Sequence, residues 1–140
     1  MKNKSKLKKI KQKKQVQQAT VPAEWLYMNE AVVDFQAIKE AFSDEEYVNV
    51  QIWEEAGVAE LEIADAKSID LERSKVDLGD EYSNAFLAEH QVQTLFLVTI
   101  SQEDFTNSKP VMEFMVQKLG GFFCGDTEDF TPVIKVRSNP

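Results

Sequence analysis

One cysteine and one histidine, Cys124 and His90, are all that this 140-residue chain offers to disulfide and imidazole chemistry. A lone cysteine excludes an intramolecular disulfide and suits a reducing compartment. There is no GxGxxG, P-loop, HExxH or CxxC, so no cofactor or metal is expected. No run approaches the roughly 18–20 apolar residues of a membrane helix. Leu95–Val98 is of strand length. The N-terminus has the positive start of a signal peptide, but Leu7 and Ile10 sit alone among lysines and glutamines. These absences point to a soluble, cytoplasmic protein. The first sixteen residues also lack any acid.

What stands there instead is lysine. Eight of the 16 basic residues lie in that segment, while all 24 acids lie beyond it. Residues 17–140 therefore carry 8 basic and 24 acidic residues, a formal charge of −16 hidden behind the net −8. Residues 1–21 have too little apolar surface to offset chain entropy and are expected to be disordered in isolation. Residues 22–140 are expected to form a single domain beginning near Pro22. With 43% hydrophobic and 10% aromatic residues overall, it should fold without metals or disulfides.

The pattern predicts an α+β fold: an antiparallel sheet of about five strands with two main helices on one face. The first helix is expected over Glu30–Phe42. Asn29 would be its N-cap, Met28 would staple onto Val33, and Ala31, Phe35, Ile38 and Phe42 would form the buried stripe. Val48–Trp53, Ala59–Ile63 and Ile69–Glu72 alternate with period two and read as strands. Parity sets Ile52 opposite Ala59 and Val50 opposite Leu61 across the even connection Glu54–Gly57. The next hairpin is expected to pair Ile63 with Ile69 and Leu61 with Leu71. Asn84–His90 reads as a short helix with Phe86 and Leu87 inward. Thr94–Ile100 reads as a central strand. Pro110–Leu119 reads as the second main helix, with proline in its first turn and Gly120–Gly121 as its stop. Phe122–Cys124 and Pro132–Val136 would close the sheet.

The same parity assigns the water-facing rows. Gln51 faces Glu60, Asn49 faces Glu62, and on the expected register Glu62 faces Asp70 and Glu60 faces Glu72. Like charges opposite one another cost a few tenths of a kcal/mol each. One reading is a solvated face that keeps the protein soluble. The other is a site for a basic partner, in which Glu60, Glu62, Asp70 and Glu72 supply charge and Trp53 the aromatic anchor.

The tail offers a different partner class. Lys4, Lys6, Lys8, Lys9, Lys11, Lys13 and Lys14 could hold nucleic acid or an anionic membrane surface through charge, with steep salt dependence. The segment has no arginine and no aromatic to read a sequence, and Leu7, Ile10 and Val16 are too few for an amphipathic membrane helix. Its further alternatives are a solubilising tail and a counter-charge for the chain's own acidic body.

Chemistry-bearing residues are sparse. His90 would need a nucleophile nearby to act as a base. Cys124, within Phe122–Phe123–Cys124, reads as a small core residue. Asp126, Glu128 and Asp129 cluster in one turn but lack the glycine and distal glutamate of an EF-hand loop, so an acidic turn capped by Thr127 is expected. At the level of size, charge and class alone, the chain resembles inhibitor and immunity proteins that neutralise a basic toxin, which implies a non-enzymatic interaction protein such as an immunity protein or antitoxin.

Overall fold

The computed structural model describes residues 21–136. Seven strands and three α-helices build an α+β fold on one antiparallel sheet. The strands are β1 (Glu24–Asn29), β2 (Val48–Trp53), β3 (Val58–Ile63), β4 (Ile69–Ser74), β5 (Thr94–Thr99), β6 (Phe122–Gly125) and β7 (Val133–Ile134). The helices are α1 (Phe35–Ala41), α2 (Glu81–Glu89) and α3 (Phe105–Leu119). The sheet order is β2-β3-β4-β5-β1-β6-β7. No described helix is long and apolar enough to cross a membrane.

Two expectations about the architecture need correction. The sheet has seven strands instead of about five, and a third helix lies on its other face. α1 and α3 pack on one face over Trp25, Tyr27, Leu61, Leu71, Phe96 and Phe123. α2 covers Leu26, Met28, Leu95 and Cys124 on the opposite face, through Leu87. The strand missed in the sequence is β1. Trp25, Leu26, Tyr27 and Met28 are all buried, because helices cover both faces there. A strand buried on both sides loses the period-two alternation that marks a half-buried one.

The first helix begins later than the sequence suggests. Asn29 ends β1, and Asp34 is the N-cap, its carboxylate accepting the Ala37 N–H at 2.9 Å. Asn29 is instead a buried junction. Its amide donates to the Tyr27 hydroxyl at 2.8 Å and the Leu119 carbonyl at 3.0 Å, and its oxygen accepts the Ala31 N–H at 2.9 Å. Helix α3 starts five residues before Pro110, so proline lies inside it. Trp25 stacks on Phe105, with ring centroids 5.8 Å apart, and Ser108 is fully buried. These contacts hold the first turn in place despite the hydrogen bond that proline removes.

The β2–β3 register agrees with the parity argument: Ile52 pairs with Ala59, Val50 with Leu61, Gln51 with Glu60 and Asn49 with Glu62. The β3–β4 register is two residues away from expectation, with Leu61 opposite Ile69 and Ala59 opposite Leu71. Both registers keep the same residues on the same face, so the inward and outward assignments survive the slip.

Candidate functional site

The open face of β2, β3 and β4 carries the acids. Helix α2 covers only the β5, β1 and β6 end of this face, so the other end meets solvent. The register joins one row across five strands: Gln51, Glu60, Asp70, Thr99 and Glu24. A second row runs Trp53, Val58, Glu72 and Leu97 before passing under α2 at Leu26. Asn49 and Glu62 form the start of a third. All five residues expected at a partner site therefore share one face. The Glu62–Asp70 and Glu60–Glu72 pairs expected from the sequence are replaced by Glu60–Asp70 and Val58–Glu72. The sheet slips by one row, which removes one of the two like-charge pairs.

Local polar contacts hold the carboxylates in place. Ser68 Oγ donates to Glu60 at 2.9 Å, and the Asn49 amide donates to Glu62 at 2.9 Å. Partial burial, and then the neighbouring Glu60 carboxylate, raise the Asp70 carboxyl above its ordinary range. A raised carboxyl marks a group short of positive neighbours. The nearest guanidinium in the strand, Arg73, points to the other face. It lies 4.6 Å from the Phe35 ring centroid and pairs with Glu54 at 2.8 Å, the one ion pair among the described residues.

The indole of Trp53 is half exposed beside these acids, with Val58 next to it in the row and the exposed Leu97 beyond Glu72. Glu24, Val58, Leu97 and Thr99 were missed in the sequence. The place of Glu24, Leu97 and Thr99 depends on β5 lying beside β4 and β1 beside β5, which alternation within any one strand does not report, and Val58 precedes the strand start expected at Ala59. Chemically, the surface offers anionic oxygens and a flat aromatic to a cationic chain.

The remaining candidates are dispersed. Cys124 is buried on the α2 side, and desolvation, then Asp126, push its thiol up to about 12, which keeps it protonated and unreactive. His90 follows α2 and lies against Phe86 and Phe122, at 4.3 and 5.4 Å between ring centroids. No hydrogen bond links His90 to Cys124 among the described residues. In the acidic turn, Asp129 accepts hydroxyl hydrogen bonds from Thr131 at 2.7 Å and Thr127 at 3.2 Å. Those bonds hold its carboxyl below the ordinary range. No cluster of three or more His, Cys, Asp or Glu side chains among the described residues could hold a metal ion. Lys4, Lys6, Lys8, Lys9, Lys11, Lys13 and Lys14 lie outside the described residues.

A half-open groove of about 540 Å3 lies at the other end of the sheet, lined by Trp25, Phe105, Pro132 and Ile134 with Lys109 at its wall. Its apolar lining and single charged side chain provide no acid–base pair.

No protein-family model, curated protein or solved structure matches this chain.

Proposed function

We propose that this protein is a non-enzymatic interaction protein that binds a basic protein partner through the open face of β2–β4, in the manner of an immunity protein or antitoxin. The observation that carries this reading is the alignment of Glu60, Asp70 and Glu24 in one row, flanked by Glu62 and Glu72. The like-charge contact within that row works against the folded sheet, by a few tenths of a kcal/mol for a directly opposed pair. A basic partner would relieve it. Trp53 supplies the large aromatic that anchors many interfaces, and the surrounding acids supply attraction and orientation.

The test is affinity capture with the tagged full chain, followed by mass spectrometry, and then the same capture with Glu60→Lys/Glu62→Lys. A captured basic protein should be lost from the variant while its circular dichroism remains that of the parent. Retention unchanged on the variant would refute this use of the face. A third capture, with residues 1–16 deleted, separates the reading from the alternative in which the lysines contact nucleic acid or an anionic membrane surface. That alternative requires loss of a polyanion on deletion, with the protein partner kept.

A further inference from the structure

One edge of the sheet is β7, two residues long, preceded by Pro132 and followed by Lys135. Short length, proline and lysine are ordinary protections against strand addition. The other edge, β2, has none of them. It is six residues of Val-Asn-Val-Gln-Ile-Trp, with no charge, no proline and no left-handed residue. Two aromatics also stand exposed at its two ends, Tyr47 at 42% and Trp53 at 50%.

We propose that β2 is the contact through which two copies of this chain associate, edge to edge and antiparallel, about a two-fold axis at Val50. The backbone polarity follows from one bond. The Tyr47 carbonyl accepts the Ala64 N–H at 2.8 Å, so Tyr47 turns its polar groups toward β3. Alternate residues turn the same way in an antiparallel ladder. Asn49, Gln51 and Trp53 therefore bond β3, while Val48, Val50 and Ile52 direct their polar groups to the open edge. Val48 spends its N–H on Glu45 within the preceding turn, at 3.2 Å, and leaves its carbonyl free. With Val50 opposite Val50 of the second copy, the two exchange both bonds. Each Ile52 N–H then meets the Val48 carbonyl across the axis.

The same register matches every side chain with its own kind. On the core face, Val48 meets Ile52 of the second copy. On the outer face, Asn49 meets Gln51, and Tyr47 meets Trp53 side by side at each end, which leaves the outer side of the indole open to the basic partner. Cross-strand pairs of this type each stabilise a sheet by roughly 0.2–1 kcal/mol. Self-repulsion is the obvious objection. At the strand ends Glu46 meets Glu54 of the second copy, and each Glu54 already pairs with Arg73 of its own chain at 2.8 Å. On the sheet face distance answers the objection: Glu60 and Glu62 sit on β3, so these acids of the two copies lie three strand spacings apart, about 14 Å. Physiological salt screens charges beyond about 8 Å. The contact is one strand wide and belongs with the small interfaces, so the dimer should form and dissociate with concentration. The acidic faces of both copies would then lie on the same side of one continuous sheet.

Light scattering on the full chain over a dilution series tests this. The expected mass is twice the 16.0 kDa of the chain at high concentration, falling to 16.0 kDa on dilution. Amide exchange at Val50 and Ile52 should slow when the mass doubles. The variant Asn49→Lys/Gln51→Lys should remain monomeric at every concentration. Within one chain its two ammonium groups face Glu62 and Glu60, which favours the fold; across the axis they would face each other. A wild-type mass of 16.0 kDa at the highest soluble concentration overturns the proposal. So does a dimer that the variant keeps, or one in which the Val50 and Ile52 amides exchange as in the monomer.

Discussion

Tyr27 shows how much one side chain can join. It sits on β1, its hydroxyl donates to the Gly120 carbonyl at 2.7 Å and accepts from Asn29 at 2.8 Å, and its ring stacks on Phe96. Tyr27→Phe keeps the ring but removes the hydrogen bond to the carbonyl of exposed Gly120 and the one from the buried Asn29 amide, so a loss of about 1–2 kcal/mol is expected in urea unfolding at neutral pH. Burial pushes this phenol from 10.0 up to about 12. A group raised on folding contributes stability that is whole below its unfolded value and is lost as pH rises through its folded one. The wild type should therefore weaken between pH 10 and 12, and the gap to Tyr27→Phe should narrow over that window. A constant gap would show that the phenol ionises as freely in the fold as outside it. None of this was legible in the sequence. Asn29 before Glu30 has the form of a helix cap, and only the approach of Leu119 and Gly120 turns its side chain inward.

Among the elements, those whose signals are local were legible. The β2–β3 hairpin follows from two alternating strands and an even connection, and α3 ends where Gly120 takes a φ of +83°. The β3–β4 hairpin does not, because registers two residues apart bury the same face. The observed turn closes with Ala66 N–H on Ile63 at 3.1 Å and Lys67 N–H on Asp104 at 2.6 Å. Asp104 belongs to the turn before α3, so a distant element helps to choose the register. Helix α1 depends on a cap within its own sequence, and Asp34→Ala is expected to lower stability by about 1 kcal/mol in thermal or urea unfolding. On the acid row, Asp70→Asn should raise the melting temperature at neutral pH. Its carboxyl is raised on folding, so the ionised form opposes the fold above its folded value. The gain should shrink as pH falls into the ordinary carboxylate range. An Asp70→Asn chain that melts below wild type at neutral pH would show that Asp70 is better paired than its neighbours indicate.

At the scale of the whole molecule, charge separation sets the behaviour. Deleting residues 1–16 moves the formal charge from −8 to −16. Self-repulsion of the acids is screened by salt, so added salt should raise the melting temperature, and by more in the deleted chain. Equal responses in the two chains would mean that the acids act only within their own rows. The sequence by itself determined the α+β class, the alternation that divides inward from outward residues, and the presence of acids on the outward side. Those properties arise from residues two to four apart, whose geometry each strand or helix imposes on its own. The tertiary structure decided which strands are neighbours, that β1 lies buried between two layers, and that α2 covers one end of the outer face and leaves the other open. Such choices depend on packing between residues far apart in the chain, which no local period encodes. They convert a list of outward acids into one continuous surface beside Trp53.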